Sequence, residues 1–144
     1  MSNFDETMLK RLTSLEREVE RLKVKETPRW VMLTTPLTST SWSGDDTVAV
    51  GTTTIDTSAV FSAPVSIKAV LVFFRVKWAA GSKSSYMLIR PLGATRYAGI
   101  VYAHDTMFQI WSGIVPCDAN GDISVTVANA DATEVLMEIW GYLL

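Results

Sequence analysis

"IKAVLVFFRVKW", residues 67–78, decides how this chain folds. In an extended strand, Ile67, Ala69, Leu71 and Phe73 fall on one face. Val70, Val72, Phe74, Val76 and Trp78 fall on the other. A sheet with one wet face alternates apolar and polar residues. This strand is apolar on both faces for most of its length. One face can line a core. The other must be covered by a second layer of the same chain or by a partner subunit.

Outward from that strand the same period of two recurs. Candidate strands are Trp30 to Leu33, Val48 to Ile55, Val65 to Trp78, Tyr86 to Pro91, Ala98 to Ala103, Met107 to Ile114, Ile123 to Ala128 and Val135 to Leu143. They are separated by turn-forming stretches such as "SWSGDD", "FSAP", "AAGSKSS", "LGATR", "HDT", "PCDANGD" and "NADAT". Short, regularly spaced strands of this kind predict an antiparallel β-sandwich or jelly roll. No helical period is visible after residue 27. The last strand, "EVLMEIWGYLL", carries no charged side chain after Glu138. So apolar a segment is expected to be covered, at the axis or base of an oligomer. "LTTPLTSTSW" and "VGTTTIDTS" are rich in hydroxyls, which suit exposed strands and loops.

The front of the chain reads differently. Of 13 Lys and Arg and 15 Asp and Glu, six of each kind fall within residues 1–26. Apolar residues recur there at Met8, Leu12, Leu15, Val19 and Leu22. That is heptad spacing, with Leu12 and Val19 at a and Met8, Leu15 and Leu22 at d. Arg11 falls at g and Glu16 at the next e; Glu18 falls at g and Lys23 at the next e. In a parallel assembly each g residue meets the next e residue of a neighbour, and both pairs are opposite in charge. The pattern is self-complementary. The competing reading is a solvated helix docked on its own domain, or a frayed tail. Pro28 ends the segment, because the residue before a proline is pushed out of helical geometry. The expected division is a coiled-coil stalk over residues 1–27 and a β-sandwich head over 28–144.

"RLTSLE", residues 11–16, resembles the short trimerisation motif of coiled coils, Arg–apolar–x–x–apolar–Glu. Arg11, Leu12, Leu15 and Glu16 match its four specified positions in frame. The resemblance implies three chains, with each Arg packing across the core towards the Glu of the next. A stalk of about two and a half heptads is marginal alone, so the head is expected to associate as well.

The totals exclude several function classes. A net charge of −2 gives no sign of a nucleic-acid or membrane-surface binder. Cys117 is the single cysteine, which excludes an intrachain disulfide and a multi-cysteine metal site. Asp5 and Glu6 stand where a signal peptide needs positive charge, and no apolar run approaches the ~20 residues of a membrane span. A soluble protein made in a cytoplasm, without membrane insertion, is expected. His104, followed by Asp105, is the single histidine and could serve as the base of a triad, but no Gly-x-Ser-x-Gly elbow is present and Cys117 lies in a turn-like stretch. "DANGDIS" places Asp118, Asn120 and Asp122 at calcium-loop spacing but lacks the later glycine and distal glutamate of an EF-hand. Its Asn-Gly is also a hairpin signal. The expectation is no enzyme, no cofactor and no metal. Among the aromatics, Trp42 in "STSWSGDD" is the candidate for an exposed, ligand-facing ring.

A short parallel coiled coil followed by a Thr-rich β-sandwich resembles the small trimeric proteins of tailed-bacteriophage virions: head fibres, short tail fibres and capsid decoration proteins. "LTTPLTSTSW", "GIVPCDANGDI" and "EIWGYLL" are also similar to small phage or prophage proteins. The resemblance implies a homotrimeric virion surface protein with no enzymatic role. Its N-terminal region would face the particle, its β-heads would point outward, and its partners would be other virion proteins and a host-surface glycan. The alternative is a free lectin-like carbohydrate-binding module.

Overall fold

The computed structural model describes residues 3–79, 84–104 and 106–144. Part of the "AAGSKSS" connection, and Asp105, lie outside the described residues. Helix α1, Asn3–Glu26, opens the chain with Asp5 and Glu6 in its first turn, where acidic side chains suit the helix dipole. The Thr27 amide and hydroxyl both donate to the Lys23 carbonyl, at 3.0 and 2.8 Å. Among the described residues nine strands follow: β1 Trp30–Leu37, β2 Ser43–Val48, β3 Gly51–Asp56, β4 Ala69–Trp78, β5 Tyr86–Pro91, β6 Gly99–Tyr102, β7 Gln109–Pro116, β8 Asp122–Ala128 and β9 Ala132–Leu143. A short helix, α2, Thr57–Phe61, lies between β3 and β4.

The strands form two antiparallel sheets. One runs β1-β9-β4-β7, with β2 also pairing β9; the other runs β3-β8-β5-β6. From β2 onward the chain alternates between sheets at every connection but β5 to β6. The resulting orders, β2-β9-β4-β7 facing β3-β8-β5-β6, are those of an eight-stranded jelly roll. Strand β1 is a ninth strand, added beside β9 at the end of the sheet nearest α1. Arg29 and Leu144 exchange two backbone hydrogen bonds there, at 3.3 and 3.0 Å.

The core lies between the sheets. Val70, Val72, Phe74, Val76 and Trp78 of β4 point into it, each at most 1% exposed. They meet Met87 and Ile89 of β5, Ile123, Val125 and Val127 of β8, and Val135, Met137 and Ile139 of β9. Burying each such side chain contributes about 1.5–3 kcal/mol. The Trp78 indole N–H donates to the Ala130 carbonyl at 3.1 Å, so its polar edge is satisfied. At the side closed by β6 and β7, the Trp111 indole fills space left by two glycines. A Cβ on Gly99 would stand 2.2 Å from that ring, and one on Gly113 2.6 Å. The ring also meets Phe74, with centroids 5.5 Å apart.

Four expectations change. "SGDD" is the start of edge strand β2, not a loop. The Asp46 carboxylate accepts from the Ser43 amide and hydroxyl, at 2.6 and 2.7 Å, so the charge sits on a solvated edge. The expected Val48–Ile55 strand is split at Ala49 and Val50, where the chain changes sheet. A helix does occur after residue 27: α2 is five residues long, too short to display a period. The Asp56 side chain caps it, accepting from the amides of Ser58 and Ala59 at 3.0 and 3.1 Å. Finally, β9 is an interior strand of its sheet, between β4 and the β1/β2 edge, so its inner face lies in the core of the single chain.

Candidate functional site

Every described side chain of α1, residues 3–23, is exposed. Met8, Leu12, Leu15, Val19 and Leu22 stand at 45–63% exposure. A helix docked on its own domain would bury this stripe, so the docked reading fails. Within the chain, Glu18 pairs with Arg21 and Lys23 with Glu20, each three positions along the helix. Exposed pairs at that spacing are worth a few tenths of a kcal/mol and exchange easily. Arg11 and Glu16 are five residues apart, about 140° around the axis, and cannot meet on one helix. No described residue of the chain buries the stripe.

The second feature is the outer face of the β4 sheet. Its register puts Trp30, Leu143, Ala69 and Pro116 in one row, and Met32, Gly141, Leu71 and Ile114 in the next. Neither row holds a charged or hydrogen-bonding side chain apart from the Trp30 indole. The Met32 sulfur and the Leu71 Cβ flank Gly141, 3.1 and 3.7 Å from where a Cβ would stand. Met32 is 64% exposed and Ile114 54%. Charge enters in the next row, where Glu138 stands opposite Phe73 and accepts from the Trp140 indole at 2.9 Å. Lys77 pairs with Glu134 at 3.2 Å, and the Arg75 guanidinium lies 4.4 Å from the centre of the Phe108 ring. The apolar end is the end that carries α1. The sequence reading identified the two-sided strand β4 but not its extension onto β7. There, Ile110 and Ile114 alternate with inward-facing Trp111 and Gly113, and a strand with an inward glycine shows a weak pattern.

The outer face of the β8 sheet is largely polar, with Leu88 and Ile100 paired across β5 and β6 as its apolar part. Thr52 and Thr126 share a hydroxyl–hydroxyl hydrogen bond of 2.8 Å, and the Arg90 guanidinium donates to Thr126 at 3.2 Å. Tyr86 and Tyr102 are cross-strand partners with ring centroids 5.9 Å apart, and Tyr102 is 54% exposed. Trp42, the ring expected to face a ligand, does not. It is 5% exposed, because Ser39 caps a single 3-10 turn, Thr40–Trp42, that turns the indole into the core.

The residues considered for chemistry are kept apart. His104 lies in a turn closed by the Met107 amide, and Cys117 lies beyond the other end of β7. Eight residues of strand span about 25 Å, so the two cannot form a dyad. Partial burial, with the charges of Asp118 and Asp122 adding to it, pushes the Cys117 thiol up to about 12. In the folded chain at pH 8 it is expected to react with a disulfide reagent about a thousandfold more slowly than in urea. Equal rates would show that the thiol is open.

The "DANGD" turn does not make a hairpin. It carries the chain from β7 in one sheet to β8 in the other. One Asp118 carboxylate oxygen accepts from the amides of Asn120 and Asp122, at 2.9 and 2.8 Å, and Gly121 takes φ +84°. Among the described residues no three His, Cys, Asp or Glu side chains converge as a metal site. Burial, then the charges of Asp118 and Asp56, raise the Asp122 carboxyl above its usual value of 3.8. A raised value means the charged form costs folded-state stability, a cost absent below pH 3.8 and complete above the raised value. Asp122→Asn is therefore expected to raise Tm at pH 7 and to leave it unchanged at pH 3. The reverse order in a thermal melt would contradict this.

No helix among the described residues is long and apolar enough to cross a membrane. No protein-family model matches the chain, and no curated protein does. Among solved structures, the chain is similar to a carbohydrate-binding module (CBM6cm-2) from Cellvibrio mixtus lichenase 5A, in complex with cellotriose. The identity is 13% over 72% of this chain and 85% of that one, with a TM-score of 0.34. It is also similar to VP2 of the infectious bursal disease virus subviral particle, at 11% identity over 82% of this chain and 32% of that one, with a TM-score of 0.25. Scores this low carry no functional argument, and the jelly-roll order rests on the strand pairing alone.

Proposed function

We propose that the chain is a non-enzymatic structural and adhesive module of a tailed-phage virion. Three α1 helices associate in parallel as a stalk, the N-terminal region faces the particle, and the jelly-roll heads point outward. The observation that carries this reading is the α1 stripe, fully exposed along the helix and self-complementary in its g and e charges. The test has two steps. Light scattering over a concentration range is expected to give three times 15.9 kDa. Immunogold labelling of particles purified from the source culture is then expected to mark their surface. A trimer that labels no particle would sink the virion reading.

A second reading, a lectin-like module, is favoured by one observation. The Tyr86–Tyr102 pair stands on the outer sheet face with Tyr102 exposed, and sugars stack on such rings. A glycan array with Tyr102→Ala as control tests it. Binding lost in the variant supports a glycan site on this face, and no binding by either protein removes it.

A further inference from the structure

We infer that the apolar end of the β4 sheet's outer face is a head-to-head contact between copies of this chain. The inference rests on the reading of α1 as a parallel stalk, and it adds the part of the head that the stalk brings to the axis. Trp30 lies only four residues beyond Glu26, the last residue of the helix, and its row contains Leu143. Copies held side by side by parallel helices must therefore bring this end of the head close to their neighbours. What lies there is two rows of a sheet without a charged side chain. Met32 and Ile114 project from them at 64% and 54% exposure. The opposite sheet presents Thr52, Thr54, Thr126 and Arg90 outward, which suits water. On the β4 sheet the Lys77–Glu134 pair and Arg75 lie at the far end, away from the stalk, while Glu138, in the row adjoining the apolar rows, is held by the Trp140 indole.

The occupant is a second copy for a further reason. A helix of α1's length with a narrow stripe associates weakly alone. The apolar rows are small for an interface of their own. Joined on one chain, each raises the local concentration of the other, and the two weak contacts become one stable assembly.

The test uses the full chain in sedimentation equilibrium. Met32→Lys with Ile114→Lys changes two side chains already exposed in the single chain, so the head fold is expected to keep its circular dichroism. Met32→Ser with Ile114→Ser repeats the test with a milder change. Thr54→Lys with Tyr102→Lys, on the polar sheet, controls for added charge. The apolar-face variants are expected to need about tenfold more protein, or a larger excess, to assemble, and the control to match the wild type. If they assemble at the wild-type concentration while Leu15→Asn with Leu22→Asn dissociates, the stalk holds the copies alone and the head contact is wrong. A wild-type chain that is monomeric throughout overturns the stalk reading, and this inference with it.

Discussion

Gly99→Val is expected to destabilise the head by about 3 kcal/mol, at the upper end for overpacking a filled site. The new Cβ would stand 2.2 Å from the Trp111 indole, far inside contact distance. The ring has little room to yield. Phe74 bounds it on the core side, and Gly113 already gives it the space a side chain would take. To admit valine, Trp111 must leave the gap between β6 and β7. That opens the side of the sandwich where β7 is an edge strand of one sheet and β6 of the other. A loss of that size lowers Tm by about 10 °C in a domain of this length. A second substitution sharpens the test. Trp111→Leu removes the part of the ring the valine meets, so the Gly99→Val, Trp111→Leu pair is expected to be more stable than Gly99→Val alone. If Gly99→Val costs less than about 0.5 kcal/mol, the indole swings out to solvent and is not part of the closure.

Leu15→Asn with Leu22→Asn is expected to take the assembly from three chains to one at micromolar concentration, with the head intact. Both residues sit at d, and each asparagine would place amides against the apolar stripes of two neighbours. An unpaired amide there costs roughly 1–3 kcal/mol per chain, which a short stalk cannot absorb. In the single chain the same leucines are 63% and 45% exposed, so the substitution removes no contact with the head. Two signals should therefore separate. The helical contribution at 222 nm falls as the freed helix frays, while the head's thermal transition stays where it was once corrected for concentration. A variant with unchanged mass would falsify the stalk. Arg11→Ala is the milder companion: it is expected to loosen the preference for three chains while leaving the helix associated.

Much of this was legible in the sequence. The helix was visible because its stripe repeats over several turns, and the break at Pro28 marks its end. Strand β4 was visible because ten consecutive residues, Ala69–Trp78, are set by burial on both sides. Trp42 was misread for a physical reason. Its neighbours are Ser and Gly, which describe only the local backbone. The indole's burial is decided by core residues far away in sequence, which a local reading does not contain. Strand β2 was hidden because an edge strand tolerates Asp45 and Asp46, and charge is also the mark of a loop. The tyrosine pair of the other sheet face was not legible: Tyr86 and Tyr102 are sixteen residues apart, and only the β5–β6 register makes them a pair.

Strand β1 has a mechanical meaning. It is the one strand outside the eight of the jelly roll, and any pull transmitted through α1 enters the head at Trp30. Loaded from that end, the antiparallel β1–β9 ladder opens like a zipper, one rung after another, starting with the Arg29–Leu144 bonds. Zippers yield at low force, whereas the strands β4, β9, β5 and β8 inside the sandwich are each paired on both sides. A tug on the tether would thus first pay out the eight residues of β1, about 25 Å of slack, before the head itself bore the load.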